Sequence, residues 1–401
     1  MKDTFAPRLS ALSNKQVPFQ FFGEKMTFHL SMGLFSSFDI DSGTRLLLKT
    51  LAKEADLKTV RNAVDTGCGT GVIGISLKKK FPEMEVLFQD RDALATAYTA
   101  ENCRFNQVNV DKVENALLLE GLREGSQDLI VSNIPAKAGE KVLNDFFHYA
   151  GSFLKEGGRV AVVIVDPLKE LAEKALHDAD CRIIYRESTK MHTVFHFDGG
   201  KTFPGEDFNR YIRHKGKFEL ADSSYEMETV YNLPDFDQLS FTNKISAELM
   251  KHTSYSGEAL FWNPGQGHIP VWLNQRPSNH FTKIHLASRD ILQNRISLWN
   301  LKKSGFEQNV ESYDLPGASW LSDALEENSL DLLHVNLSPI TKVKWPQELM
   351  EMAGKLVKPG KFCFLIGRSS DQAQLEKFIK GFSYKEDDRF KGNRGILLQK
   401  K

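Results

Sequence analysis

The chain has 401 residues, with Lys plus Arg and Asp plus Glu both at 52 and 41% hydrophobic residues. This length predicts two domains of ordinary size, each with its own core, in a soluble globular protein. The charge balance excludes a basic field over the whole molecule, so any nucleic-acid surface must be a local patch.

The cysteines, Cys68, Cys103, Cys181 and Cys363, are scattered without Cys-x-x-Cys pairs. That argues against a zinc site and against a disulfide framework, so no metal is expected and a reducing cytoplasm is the expected location. No apolar run approaches the ~18 residues that a membrane span needs.

In chain order, residues 1–24 read as an N-terminal extension, polar, with two prolines and an aromatic cluster of Phe19, Phe21 and Phe22. Residues 26–44 contain Gly33-Leu-Phe-Ser36 and Ile40-Asp-Ser-Gly-Thr44, and lead into a helical run, Arg45 to Ala52, with a buried leucine face. Taken alone, this stretch is a hairpin and a helix start, with Ser42 or Thr44 as the N-cap. Next, Asn62-Ala-Val-Asp-Thr-Gly-Cys-Gly-Thr-Gly-Val-Ile-Gly-Ile75 predicts a buried strand ending at Asp65, a turn over Gly67, Gly69 and Gly71, and a helix from Val72 to Lys80. Strands follow at Glu85 to Gln89, near Val113 to Leu118 and at Asp128 to Ser132, with a helix from Ala93 to Phe105. A helix at Glu140 to Leu154 precedes a strand at Arg159 to Val165. Cys181 to Arg186 and Thr193 to Phe197 close the domain as an antiparallel pair. Such alternation yields a parallel sheet with ligands at the carboxyl ends of its strands, where Asp65, Asp90 and Asn133 fall.

The glycine turn is a nucleotide pocket by its chemistry, since glycines admit close backbone approach and the helix start offers free N–H groups. Gly69-Thr-Gly-Val-Ile-Gly74 also fits the dinucleotide pattern G-x-G-x-x-G, with Asp90 about 20 residues on. Asp65 separates the two readings, because an anion there repels a pyrophosphate and suits a cationic ligand such as S-adenosylmethionine. The stretch resembles motif I of class I S-adenosylmethionine-dependent methyltransferases, which implies Gly67, Gly69 and Gly71 at the cofactor and Asp90 at its ribose hydroxyls. The preamble carrying Phe35, Asp41, Gly43 and Thr44 resembles the methyltransferase small domain family, best known as ribosomal RNA guanine-N2 methyltransferases. The resemblance implies a loop over the methionine end of the cofactor and the target entrance.

Val131-Ser-Asn-Ile-Pro-Ala-Lys-Ala-Gly139 resembles the Asn-Pro-Pro-aromatic motif of enzymes that methylate exocyclic or amide nitrogens. The resemblance implies that Asn133, with Pro135 beside it, accepts the N–H bonds of the target nitrogen. Ile134 replaces the first proline and Ala136 the stacking aromatic, so Phe35 is the candidate stacking ring. Taken alone, Asn133 is also a candidate cap for the following helix.

The remainder repeats this grammar. A shift of 198 residues sets Ala63 to Phe105 on Phe261 to Lys303, with Gly67 and Gly69 on Gly265 and Gly267 and Asn102 on Asn300; a shift of 203 sets Asn133 on Asn336. In that register Asp65, Gly71 and Asp90 become Asn263, Ile269 and Ser288, so the second copy should bind no cofactor. Relatives of this family that pair an active with a degenerate domain place the degenerate one first, whereas here it comes second.

The expected architecture is therefore an α/β, Rossmann-like class I methyltransferase fold, duplicated, with residues 25–200 catalytic, 201–222 a linker and 223–401 a degenerate copy. The linker's Arg210-Tyr-Ile-Arg-His-Lys-Gly-Lys217 is a solvated basic face or an RNA grip. The expected function is N-methylation of a guanine exocyclic amine in ribosomal RNA, with S-adenosylmethionine as cofactor and RNA as partner. Its rivals are methylation of a small molecule or a protein side-chain amide, a non-catalytic RNA-binding or assembly protein, and an NAD-dependent dehydrogenase.

Overall fold

The chain opens with a short helix, α1 (Pro7–Leu12), and a hairpin of β1 (Ser13–Phe21) and β2 (Glu24–Ser31). Phe22 (φ 46) and Gly23 (φ 86) turn it through the left-handed backbone that two-residue hairpin loops require. The computed structural model describes residues 5–110, 112–135, 139–221, 223–235, 237–306, 308–340 and 344–401.

Helix α2 (Ser42–Glu54), β3 (Asn62–Thr66), α3 (Val72–Lys80), β4 (Glu85–Asp90), α4 (Ala93–Phe105), β5 (Lys112–Asn115), β6 (Gln127–Asn133), α5 (Glu140–Tyr149), β7 (Leu154–Val165), α6 (Lys169–Asp178), β8 (Arg182–Ser188) and β9 (His192–Asp198) follow. The strands form one sheet in the order β5-β4-β3-β6-β7-β9-β8, parallel up to β7 and antiparallel around β9. Alternate side chains of each strand go to opposite faces. Leu129 and Val131 of β6 join the hairpin, α2 and α3 in one core, while Ile130 joins Phe146, Phe147 and Leu176 of α5 and α6 in another. The chain leaves β3 toward β4 on one side and returns to β6 on the other, so the sheet's switch point lies between the carboxyl ends of β3 and β6.

The first compact unit ends at Asp207 and the second runs from Phe208 to Lys401. The second unit starts with its own hairpin, β10 (Ile212–Leu220) and β11 (Ser223–Val230), followed by α7 (Phe241–Met250), β12 (Ser256–Trp262), α8 (His268–Asn274), β13 (His280–Ser288), α9 (Ile291–Lys303), β14 (Asn309–Asp314), α10 (Leu321–Ala324), β15 (Leu330–Asn336), α11 (Trp345–Leu356), β16 (Val357–Arg368), α12 (Ser369–Leu375), β17 (Phe382–Phe390) and β18 (Asn393–Lys400). Its sheet order, β14-β13-β12-β15-β16-β18-β17, repeats the first. The duplicated Rossmann-like fold is therefore as expected, but its boundaries are not. The segment 201–222 expected as a linker holds β10, and the extension 1–24 holds β1. In both copies a nine-residue strand pairs with an eight-residue one and carries a bulge at the same place, between Ser13 and Lys15 and between Ile212 and His214. The hairpin belongs to the repeated unit.

Candidate functional site

Strand β3 drives its buried residues Ala63 and Val64 into the sheet, and the chain then turns at Gly67 (φ 71), Gly69 (φ 59) and Gly71 (φ 83). Carbonyl Gln89 at the end of β4 accepts from the N–H groups of Gly67 (2.8 Å) and Cys68 (3.0 Å), and Asp90 Oδ2 accepts from Gly69 N–H at 2.9 Å. Gly71 caps α3. A Cβ on Gly69 would meet no atom within 4 Å, which leaves the loop's backbone open on that side, whereas one on Gly74 would lie 2.3 Å from Phe88 Cε1 and 3.0 Å from Asp65 Oδ2. Two different needs therefore explain the glycines: left-handed backbone at Gly69 and close packing at Gly74.

Asp65 is buried beneath this loop, its Oδ2 accepting from Gly74 N–H at 2.8 Å and its Oδ1 buried with no hydrogen-bond partner. Burial pushes its carboxyl up to about 7 against the pull of the Gly74 N–H, and the charge of Asp90 adds to the rise. Burial likewise raises Asp90 to about 6, although Asp92 N–H (2.9 Å) and Gly69 N–H both donate to it. Two carboxyl groups around one glycine loop, Asp65 buried with an orphaned oxygen and Asp90 half-buried, form a site that gains by receiving positive charge and hydrogen-bond donors. That fits a sulfonium with an amino group and a ribose diol.

On the other side of the switch point, Asn133 ends β6. Its amide nitrogen donates to Asp41 Oδ2 (2.9 Å) and to Thr44 Oγ1 (2.9 Å). An ionised carboxylate only accepts, so the nitrogen faces Asp41 and the amide oxygen is left to accept from elsewhere. Asp41 is the N-cap of α2, accepting also from the N–H groups of Gly43 (2.9 Å) and Thr44 (3.2 Å). Capping by Ser42 or Thr44 is thereby corrected: the longer carboxylate reaches both orphan N–H groups. Asn133 does not cap α5 either, since Gly139 holds that position. Gly43 is buried where a Cβ would lie 2.7 Å from Asp41 Oδ2 and 2.9 Å from His192 Cδ2. Asp41, Gly43 and Thr44, expected at the cofactor, thus gather at Asn133. Pro135 follows half-buried, Ala136 lies outside the described residues, and Phe35, in the loop from β2 to α2, is 58% exposed.

Two residues of this region had no place in the sequence reading of the site. His192, at the start of β9, sits with Nε2 3.9 Å from Asp41 Oδ2 and Nδ1 3.5 Å from Ser42 Oγ. Asn102 of α4 ties the hairpin to the glycine loop, its amide bonded to His29 N–H, His29 carbonyl and Thr70 carbonyl. Its signal was visible, because Asn300 makes the same three bonds to Glu228 and Gln266.

The second copy shows how such a site closes. Gly267 caps α8 with φ 91, as Gly71 caps α3, and Gly267 N–H bonds to Pro264 carbonyl as Gly71 N–H bonds to Cys68. Phe261 pairs with Leu286 and His334 as Asp65 pairs with Phe88 and Val131. The shift across the glycine loop is therefore 196, and the 198 register fails there by two residues: Asp65 corresponds to Phe261, Gly67 to Asn263, and Gly71 to Gly267. The match of Asp90 with Ser288 stands. Asn263 Nδ2 donates to Asn336 carbonyl (3.0 Å), Asn336 Nδ2 donates to Asn263 carbonyl (2.8 Å), and Ser288 Oγ donates to Asn263 Oδ1 (3.2 Å).

Residues 25–185 match the family described as the methyltransferase small domain. A ribosomal RNA small subunit methyltransferase C of Haemophilus influenzae is 30% identical over 161 residues, 39% of this chain and 47% of that protein. An uncharacterized protein YbxB of Bacillus subtilis is 29% identical over 163 residues, 40% of this chain and 79% of that one. The chain thus spans about half the length of the named methyltransferases it matches. Over 97% of this chain and 99% of the other, the fold agrees with the T. thermophilus 16S rRNA N2 G1207 methyltransferase solved with AdoMet and guanosine, at a TM-score of 0.68 and 15% identity.

Proposed function

We propose that the protein, whose residues 25–185 match the methyltransferase small domain, transfers a methyl group from S-adenosylmethionine to the exocyclic N2 of a guanine in ribosomal RNA. The observation that carries this reading is the fixed amide of Asn133, whose oxygen faces away from Asp41 at the carboxyl end of β6, beside the glycine loop on β3.

The cofactor supplies an activated methyl on a sulfonium. The chain's part is placement and field. Asp65 and Asp90 set a negative potential around the glycine loop, and Gly69 leaves room for backbone contact. Asn133 Oδ1 accepts an N–H bond of the target amine, which turns the nitrogen lone pair out of conjugation with the ring. Asp41 and Thr44 hold the amide in that orientation. The proton lost by the methylated amine passes to solvent. The named relatives support ribosomal RNA as substrate, and the exposed ring of Phe35 supports stacking on a displaced base.

The deciding experiment supplies the full chain and labelled cofactor to ribosomal RNA from a strain lacking the gene and maps methylated guanines by mass spectrometry. Incorporation at one guanine N2 is expected. Label entering protein or small molecules independently of RNA would replace this reading with the side-chain amide or small-molecule alternative.

A further inference from the structure

A cleft of about 730 Å³ opens on the first unit between the hairpin and the carboxyl ends of α3 and α4, lined among others by Phe19, Lys25, Arg45, Lys79, Asn106 and Gln107. No Asp or Glu is among its described lining residues. Arg45 lies over the Phe19 ring at 5.3 Å and shares its guanidinium with Asp39 and Ile40 carbonyl at the rim. Lys79 is held by Asn106 carbonyl at 2.8 Å, which points a half-buried ammonium at the cleft wall, and Lys25 is exposed. Arg45 directly follows Thr44, which accepts from Asn133, in the first turn of α2, whereas Lys79 and Gln107 lie at the far ends of α3 and α4, away from the strand ends that carry Asn133.

From this we propose that the cleft holds the phosphodiester backbone of single-stranded RNA flanking the methylated nucleotide, with Lys25, Arg45 and Lys79 meeting phosphates and Phe19 offering a stacking face. The inference rests on the RNA reading of the function. Cations on a lining of non-acidic residues, of which, among the described residues, only Arg45 pairs with a carboxylate at the rim, beside an aromatic ring and exposed amides, are the chemistry of a sequence-tolerant RNA groove. The second copy supplies the contrast. Its matching hairpin positions carry Glu219, Ser224 and Glu226 in place of Gln20, Lys25 and Thr27, and Lys217, at the position of Pro18, faces Glu226 across the strands. Lys79 becomes Gln275, although Lys244 keeps a cation in place of Arg45. The fold itself therefore does not require the cationic, acid-free lining.

The test measures, on the full chain, fluorescence anisotropy with naked small-subunit ribosomal RNA fragments and methyl transfer to the same RNA, for the wild type, Lys25→Glu, Lys25→Arg and Lys25→Gln/Lys79→Gln. Expected for the double variant are a KM and an RNA Kd raised roughly three- to tenfold, with kcat and cofactor affinity unchanged and the log–log salt slope reduced by about one per lysine removed. Lys25→Glu should bind more weakly still, and Lys25→Arg should bind like the wild type. Unchanged RNA affinity and salt slope in the double variant overturn the proposal. So does a defect confined to ribonucleoprotein substrates with naked RNA binding intact, which would make the cleft a protein contact. A wild type that methylates no RNA defeats the functional reading instead, and the two failures are distinct.

Discussion

The carboxylate of Asp41 accepts a hydrogen bond from the amide nitrogen of Asn133 at 2.9 Å, and this contact fixes which side of the Asn133 amide faces Asp41. Asp41 stands 92 residues earlier in the chain, as the N-cap of α2, so one side chain both caps a helix and orients the proposed acceptor amide.

Replacing Asp41 with Ala should release the Asn133 amide to flip. A charge-assisted hydrogen bond is worth about 1.5–3 kcal/mol, so kcat should fall about ten- to a hundredfold while cofactor affinity stays within a few-fold. The lost cap should separately cost about 1 kcal/mol of stability. Asp41→Asn keeps an accepting oxygen and should recover part of kcat; kinetics of both variants beside their melting temperatures test this, and a loss of kcat no larger than the stability loss explains would make Asp41 a cap alone.

Asn133→Ala should remove turnover and leave cofactor binding nearly intact. Asn133→Asp offers an acceptor of the same shape but sets a second carboxylate against Asp41, so it should be no better near neutral pH. Calorimetry with the cofactor and single-turnover kinetics separate the two effects; equal loss of binding and turnover would make Asn133 structural.

The sheet of the first unit was legible because its strands are short apolar runs with an acidic or amide residue at the carboxyl end. Helices α3 and α4 were read with their observed limits. The hairpin was misplaced to 26–44: Pro18 interrupts β1, which reads as a polar extension, and the basic residues Arg213, His214, Lys215 and Lys217 make β10 read as a linker. The helix read to Leu154 stops at Tyr149, because Ala150–Phe153 tightens into a 3₁₀ turn and Leu154 already begins β7. The repeat register slipped for another reason. The glycines fall at every second position, so a two-residue slip still sets Gly on Gly, and only the backbone hydrogen bonds and strand pairing expose the error.

Asp65 and Asp90 make cofactor binding pH dependent. Both are raised by burial in the ligand-free protein, to about 7 and about 6, and a cationic ligand favours their ionised forms. Affinity should therefore rise from pH 5.5 to about 7.5, with a proton released on binding below neutrality. For stability the sign is opposite. Carboxyls raised above the ordinary 3.8 bind protons more tightly folded than unfolded, so the ligand-free protein should lose stability as pH climbs from about 4 to 7 and level off above. Asp65→Asn should flatten both profiles and weaken binding about tenfold or more. Calorimetry in buffers of different ionisation enthalpy reads the proton directly; wild-type affinity in the variant would sink the assignment of the glycine loop.

Two glycine substitutions should separate packing from access. Gly74→Ala drives a methyl into Phe88 and Asp65 and should cost about 1–3 kcal/mol, lowering Tm by about 2–4 °C per kcal/mol. Gly69→Ala meets no atom but requires a left-handed alanine and covers the open side of the loop, so it should weaken cofactor binding more than stability. Melting curves with and without cofactor decide; a Gly69→Ala protein with full affinity would place the ligand elsewhere.

In the second copy the glycine of the turn has become Asn263, and Asn263 and Asn336 clasp each other through reciprocal amide-to-carbonyl bonds. A polar hollow emptied of its ligand leaves donors and acceptors stranded, at a cost for each. Here Asn263 bonds to Asn336 and Ser288, although Asn336 Oδ1 stays buried without a partner among the described residues. The second half should then gain little from a cationic ligand, while the first half, with Asp65 Oδ1 left without a partner, should be steadied when one arrives. On that expectation the duplication joins a half whose rigidity rises with supply to a half that responds little to it.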